Sequence, residues 1–168
     1  MRHIISVLLE NESGALSRVS GLFSARGYNI ESLTVAPTND ATLSRMTIVT
    51  RGDDRRIDQI EKQLFKLVDV AALHDITINR HLEREVVLVK VQLQDSEPLE
   101  SKVELDRVVG AFNASLLDVT ETMFIVELSG SGEKIDELIK ALSKHEIVEI
   151  ARSGVTGMSS TERVLTTR

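Results

Sequence analysis

The sequence contains no cysteine and no tryptophan, and aromatic residues make up only 3% of it. Without cysteine, disulfide bonds, a thiol nucleophile and a thiolate metal site are excluded. The net charge is −6 and no dense basic cluster occurs, so we expect no nucleic-acid partner. No apolar run is long enough to span a membrane and no secretory signal is visible. We therefore expect no membrane partner and a cytoplasmic location.

Catalytic and metal-binding patterns are also lacking. The four histidines are scattered, without HxH or HExxH spacing, at His3, His74, His81 and His145. Two pairs of acidic residues, Glu83 with Glu85 and Asp136 with Glu137, have no nucleophile or base beside them. We interpret these acids as solvated charges, and we predict no catalytic residue and no metal site.

The order of apolar patterns is the same in both halves of the chain. Residues 14–26 show helical spacing and end before Gly27, and apolar strands precede and follow them. The first half reads strand–helix–strand–strand–helix–strand, and the second half repeats that order from about residue 85. This predicts an α+β protein with two ferredoxin-like βαββαβ domains, 1–78 and 79–168, the latter including a C-terminal tail.

Each predicted domain is small, and its helices cover one face of its sheet. Strand residues such as Leu33, Val35 and Val49 suggest apolar side chains on both faces. We therefore expect a homodimer, formed by sheet extension or by packing of faces.

The most informative stretch is 8–37, where an apolar strand enters the turn Asn11-Glu12-Ser13-Gly14 and a helix follows. A helix N-terminus presents unpaired N–H groups to an anion, and glycine allows close approach. Asn11 and Asn29 offer side-chain amides to the charged groups of an amino acid. From local pattern alone, ordinary turn and helix-start chemistry is the better explanation of these residues, and Ser13 could cap the helix without a ligand.

The same stretch carries a family resemblance, together with Leu43-Ser44-Arg45-Met46-Thr47 and Ala151-Arg152-Ser153-Gly154. The chain resembles the regulatory small subunit of acetohydroxyacid synthase, also called acetolactate synthase, over nearly its whole length. The resemblance implies that the first domain is an ACT domain, dimeric through its ACT domains, with effector sites at the interface. It also implies a catalytic subunit as partner and valine as feedback inhibitor, in the synthesis of branched-chain amino acids.

The family's effector-binding elements match Asn11, Gly14, Ala15, Leu16, Asn29 and Ile30. The resemblance implies that thiamine diphosphate, Mg²⁺ and FAD belong to the catalytic subunit, so we expect no cofactor in this chain. In the second half the segment at the matching turn is Gln94-Asp95-Ser96-Glu97-Pro98, which is acidic and lacks glycine. We therefore expect the first domain to hold the effector, and the second to serve full effector response and assembly.

Two other functions remain open on the residues alone. One is a free-standing ACT-type amino-acid sensor that acts on another partner, such as a transcription factor. The other is a small ferredoxin-like enzyme, against which the absence of an acid–base or nucleophile cluster counts.

Overall fold

The helices form where apolar side chains recur at helical spacing. In a computed structural model, which describes residues 1–93 and 98–167, helix α1 buries Ala15, Val19 and Phe23. Helix α1 is followed by Gly27, whose φ of 64° lies in the left-handed region that glycine adopts without a Cβ penalty. Helix α2 begins after Asp53, whose side chain accepts a hydrogen bond from the Arg56 N–H and caps the helix as the sequence predicts.

The first compact unit, unit 1, comprises Met1–Glu83 together with Val155–Arg168. Its antiparallel sheet has the strand order β2-β3-β1-β4, and both helices cover the same core of buried apolar side chains. The elements are β1 (Arg2–Glu10), α1 (Ala15–Ala25), β2 (Ile30–Pro37), β3 (Leu43–Arg51), α2 (Asp54–Leu64) and β4 (Val70–Asp75).

The second compact unit, unit 2, comprises Arg84–Gly154. Its sheet has the order β6-β7-β5-β8, which is the same arrangement as in unit 1. Its core is built from β5, β7 and the two helices, around Val89, Leu105, Phe124 and Leu138. The elements are β5 (His81–Gln92), α3 (Pro98–Phe112), β6 (Ser115–Val119), β7 (Met123–Gly130), α4 (Gly132–Leu142) and β8 (Glu146–Arg152).

The predicted fold class is confirmed. The chain is an α+β protein with two βαββαβ units. The predicted order of helices and strands agrees with the structure because each element has the apolar periodicity of its type. The acidic segment 94–97, which we compared with the first turn, lies outside the described residues.

The C-terminal part of the chain differs from the sequence-based division, which placed it with the second domain. A further strand, β9 (Thr156–Ser159), belongs to unit 1. Side chains of β2 and β3 bind the backbone of the segment 155–157. The Thr34 hydroxyl donates to the Val155 carbonyl at 2.8 Å, the Val155 N–H donates to the Ser32 Oγ at 2.9 Å, and Arg45 Nη2 donates to the Gly157 carbonyl at 3.1 Å.

This segment lies on the sheet face opposite the helices, which we call the outer face of unit 1. Val155 is buried there with Ile4, Val49 and Ile76. A Cβ added to Gly157 would lie 2.7 Å from Ile76 Cδ1, so only glycine fits this approach without displacement. The expectation of apolar residues on both sheet faces is correct. Part of the outer face, however, is covered by the segment 155–157 of the same chain.

The interpretation of the paired acids as solvated charges is wrong for Glu83 and Glu85, whereas the Asp136 side chain is 67% exposed. Glu83 receives hydrogen bonds from Arg2, the nearer at 2.6 Å. Glu85 is buried and receives two hydrogen bonds from Arg152, at 2.9 and 2.8 Å, while Arg152 also binds Asp136 at 2.8 Å. These contacts join residues distant in sequence, so the local pattern of acidic residues carried no signal of them.

Candidate functional site

The turn between β1 and α1 is tied to the turn that precedes β3. Asn11 donates through Nδ2 to the Ala41 carbonyl at 3.0 Å and accepts through Oδ1 from the Ser44 hydroxyl at 3.2 Å. Its backbone N–H donates to the Thr42 carbonyl at 2.7 Å. Asn11 therefore fixes the turn, and its amide retains unused hydrogen-bonding capacity at the exposed end of the strand.

Helix α1 starts at Gly14, which is in the left-handed conformation with a φ of 89°. No side chain caps this helix start, so the alternative in which Ser13 acts as the cap is not observed. Ala15 is buried beneath the first turn, whereas the Leu16 side chain is 40% exposed. Within the first turn the Ala15 N–H donates to the Glu12 carbonyl at 3.3 Å. The neighbouring N–H groups and the Leu16 side chain suit a small amphipathic anion.

An ion pair lies against this helix start. Arg18 donates through Nε and Nη2 to the two carboxylate oxygens of Asp69, at 2.6 and 2.5 Å. The hydrogen bond to Asp69 raises the pKa of the Arg18 guanidinium, and the same bond lowers the pKa of the Asp69 carboxyl. Both groups are therefore charged at neutral pH.

The other predicted residues, Asn29 and Ile30, precede and begin β2. The Asn29 side chain is exposed. The Asn29 backbone carbonyl accepts a hydrogen bond from the hydroxyl of the buried Thr50 at 2.6 Å. Ile30 is half-buried and packs on the core of unit 1. The backbone bond to Thr50 fixes the start of β2, and it leaves the Asn29 amide facing solvent.

The structure does not bring all six predicted residues together within one chain. Asn11 contacts Ser44, at the beginning of β3, whereas Ile30 is paired with Thr50 near the end of that strand. Six residues of strand at about 3.3 Å each separate Ser44 from Thr50 by roughly 20 Å. Asn11, Gly14, Ala15 and Leu16 therefore form one group, and Asn29 with Ile30 forms another beyond the reach of the same small ligand.

Unit 1 also has two open grooves on other parts of its surface. One, of about 590 Å³, lies beside Arg45 and Met158, and the other, of about 650 Å³, lies between α2 and Arg163. Neither of these grooves is lined by any of the six predicted residues. Asn11, Leu16 and Asn29 are exposed in one chain, so a ligand bound to them needs a further element to enclose it.

Comparisons with known proteins match both units. Residues 5–72 match the family described as the small subunit-like ACT domain of AHAS, and residues 84–161 match the family described as the small subunit of acetolactate synthase. The chain is 52% identical, over 98% of its length and 99% of the relative's, to the acetolactate synthase isozyme 3 small subunit of Salmonella typhimurium.

The chain belongs to the acetolactate synthase small-subunit family. The isozyme 3 small subunit of Escherichia coli is 51% identical over the same shares of the two chains. A crystal structure of the acetolactate synthase small subunit from Thermotoga maritima superposes with a TM-score of 0.87 at 35% identity, covering 97% of this chain and 99% of that one. The family resemblance given by the sequence is thereby confirmed, and so is the ACT domain in unit 1.

Residues 1–93 and 98–167 contain no cluster of three or more His, Asp or Glu side chains placed to hold a metal ion. Over that same part of the chain, no helix has the length and apolar character needed to cross a membrane.

Sequence reasoning missed the ion pair between Arg18 and Asp69. The two residues are 51 positions apart, so no local pattern links them. A partial signal was present, since Arg18 lies four residues after Gly14 and therefore on the same side of the helix.

Proposed function

We propose that this chain is the non-catalytic regulatory subunit of an acetolactate synthase. It binds the catalytic subunit, raises its activity and makes it subject to feedback inhibition by valine in branched-chain amino-acid synthesis. Family membership supports the partner, since a small subunit implies a large one. We place the assembly in the cytoplasm, with thiamine diphosphate, Mg²⁺ and FAD carried by the catalytic subunit.

In this proposal valine binds at the start of α1. The N–H groups around Gly14 to Leu16 donate to its carboxylate, because the first turn of a helix lacks intrahelical acceptors for them. The Ala15 N–H, which donates to the Glu12 carbonyl at 3.3 Å, shares its hydrogen between that carbonyl and the ligand. The amide oxygens of Asn11 and Asn29 accept from its ammonium, and Leu16 and Ile30 enclose the isopropyl group. Gly14, without a Cβ, leaves the backbone open to the ligand.

The observation that carries the proposal is the position of the two groups of residues at opposite ends of one edge strand. Strand β2 is the edge of the sheet, so its outer side is open for pairing with another strand. Two copies related by a twofold axis pair such edges antiparallel. The start of β2 in one copy then lies beside the end of β2 in its partner, where that partner's α1 begins.

Two identical sites at the dimer interface follow from this arrangement. Each site takes Asn11, Gly14, Ala15 and Leu16 from one copy, and Asn29 and Ile30 from the other. Valine therefore stabilises one arrangement of the two copies more than another. This difference is required for regulation, because a ligand with equal affinity for both states shifts neither.

Reconstitution with the catalytic subunit tests the proposal. We expect the full chain to raise the rate of acetolactate formation, and we expect valine to reverse that increase in a saturable manner. Sedimentation should show a dimer of the isolated chain. If the chain neither binds nor activates the catalytic subunit while still binding an amino acid, a free-standing sensor is the correct function.

A further inference from the structure

The guanidinium of Arg18 is only partly used by its ion pair. Nε and Nη2 donate to Asp69, and within the described residues Nη1 has no hydrogen-bond acceptor. A guanidinium has five N–H donors, two of them on Nη1. The side chain is 46% exposed, so a molecule from solvent can reach these donors.

The free end of Arg18 points to the start of the helix. A Cβ built on Gly14 would lie 2.8 Å from Nη1, so the guanidinium lies directly against the Gly14 backbone. This contact gives a second reason for glycine at the position: a side chain there would meet a cation, in addition to adopting a strained φ of 89°.

Asp69 holds the guanidinium in this place. Its side chain is 4% exposed, and its backbone carbonyl accepts from the Glu10 N–H at 2.8 Å, at the end of β1. The two parallel hydrogen bonds of the pair fix the plane of the guanidinium, whereas a single bond would let it rotate. Nη1 is consequently oriented before any ligand arrives, which reduces the entropy lost on binding.

We infer that Arg18 is a specificity-determining residue of the effector site: Nη1 donates a charge-assisted hydrogen bond to the carboxylate of the bound amino acid, and Asp69 is the positioning residue that aims it. The inference rests on the proposed function, since it concerns the same site. It goes further by assigning recognition of the carboxylate to a side chain as well as to the backbone. Ligands without a carboxylate should then be rejected.

The charge of Asp69 also limits what Arg18 attracts. Because Asp69 offsets the charge of the guanidinium, the pair is neutral at a distance and acts through the directed Nη1 donors. The site therefore selects a planar hydrogen-bond acceptor such as a carboxylate at the helix start, and it does not bind anions in general. Glu12, on the turn, is a further acidic neighbour that raises the pKa of Arg18.

The test uses the full holoenzyme with a variant in which the ion pair is replaced by two neutral amides, Arg18→Gln with Asp69→Asn. Asp69→Asn keeps the shape of the buried side chain, and the double change leaves no buried carboxylate unpartnered. We expect valine affinity to fall roughly tenfold to hundredfold, the range for losing a hydrogen bond to a charged group. The matched control is Arg26→Gln, an exposed arginine just after the same helix, which should bind valine like the wild type.

A second ligand separates recognition from structure. Valinamide keeps the ammonium and the isopropyl group and lacks the carboxylate, so wild type should bind it more weakly than valine, and the double variant should reduce the ratio of the two affinities. Unchanged valine affinity in the double variant overturns the inference. An equal loss for both ligands, or a loss of the dimer in sedimentation, overturns it as well, because Arg18 would then act through the fold.

Failure of the proposed function gives a different result. In that case the wild-type holoenzyme shows no saturable response to valine at all. If the wild type responds and the double variant responds equally, the valine function stands and only the role of Arg18 is wrong.

Discussion

The two units share one strand order, but they differ in what covers the outer face of the sheet. In unit 1 strand β1 places Ile4 on that face, where Ile4 is fully buried in a cluster with Val155. In unit 2 strand β5 places Leu88 on the corresponding face. Leu88 is 38% exposed there and pairs with the exposed Ala151. The comparison shows that the segment packed on this face, and not the strand order, decides whether its apolar residues are buried.

The units also differ at the ends of the first helix in each. In unit 1, α1 begins at a left-handed glycine, and Asn29 stands before the next strand. In unit 2 Ala114 makes the helix-end hydrogen bond that Tyr28 makes in unit 1, so Ser115 stands where Asn29 does. Unit 2 therefore has a hydroxyl at this position and not the side-chain amide that the proposed site uses.

The largest effect should come from Gly14→Asp, which replaces the left-handed glycine at the start of α1. The new carboxylate would enter the space beside Arg18 Nη1 and repel the carboxylate of valine. We expect valine inhibition of the holoenzyme to be abolished while activation is largely retained. The measurement is the rate of acetolactate formation over a titration with valine.

The matched control is Gly132→Asp, at the first turn of α4 in unit 2, where an added Cβ meets nothing within 4 Å. An acidic residue is favourable at a helix start, so this variant should keep wild-type inhibition. Wild-type valine sensitivity in the Gly14 variant would place the effector site elsewhere.

A smaller loss is expected from Asn29→Ala, which removes from unit 1 the side-chain amide that unit 2 lacks at this point. The buried ammonium of valine would lose an acceptor, at a cost of about 1–3 kcal/mol. This corresponds to a loss of affinity of roughly tenfold to hundredfold, measurable by calorimetry. Asn79→Ala, in the exposed turn after β4 of the same unit, is the control. Unchanged affinity in the Asn29 variant removes that residue from the site.

The cover of unit 1 is tested by Gly157→Ala. The added methyl group would lie 2.7 Å from Ile76 Cδ1 and 3.2 Å from Ile4 Cγ2, so β9 or the sheet must move. We expect unit 1 to lose about 1–3 kcal/mol of unfolding free energy, the usual cost of overpacking. Gly110→Ala, within α3 where nothing lies near, should stabilise unit 2 by roughly 0.5–1 kcal/mol. Urea unfolding measures both, and a neutral Gly157 variant would show that β9 is loosely packed.

The smallest expected effect is a dependence of stability on pH. Burial lowers the pKa of His74 in unit 1 and of His145 in unit 2. The unfolded chain therefore binds more protons than the folded chain as the pH falls below about 6.5, and both units lose stability in that direction. His145 is the more deeply buried of the two, and its Nε2 has no partner among the described residues.

Hydrogen exchange at pH 7.5 and 5.5 resolves this dependence unit by unit. We expect His145→Gln to reduce the pH dependence of protection in unit 2 and to leave unit 1 unchanged, and the converse for His74→Gln. Equal pH dependence in wild type and in both variants would assign the effect to other groups.

Residues 155–159 pack on unit 1, although they follow unit 2 in the chain. This packing affects the test of which half holds the effector. A chain ended near His81 would lose Val155 and Gly157, and Ile4 and Ile76 would be exposed to water. Loss of valine response in such a chain would therefore not by itself assign a role to unit 2. Single substitutions in the full chain, as above, separate the two units more cleanly.

The sequence predicted the local structure of much of the candidate site. The turn at Asn11, the helix start at Gly14 and the exposed Asn29 are where the pattern puts them, because turn and cap chemistry depends on neighbouring residues. The sequence did not show that Asn29 lies at the far end of the sheet from Asn11. That separation depends on the register of β2 against β3, which the apolar pattern does not fix by itself.

The sequence by itself determined the order and type of the helices and strands, since each depends on a local apolar period and on breakers such as Gly27. Only the tertiary structure decided the contacts between distant segments: Arg18 with Asp69, Arg152 with Glu85, and the backbone of Val155 with Thr34, 121 residues away. The physical reason is that a hydrogen bond or close packing between such segments leaves no periodic trace in either one. It arises only when the folded sheet brings the two segments together.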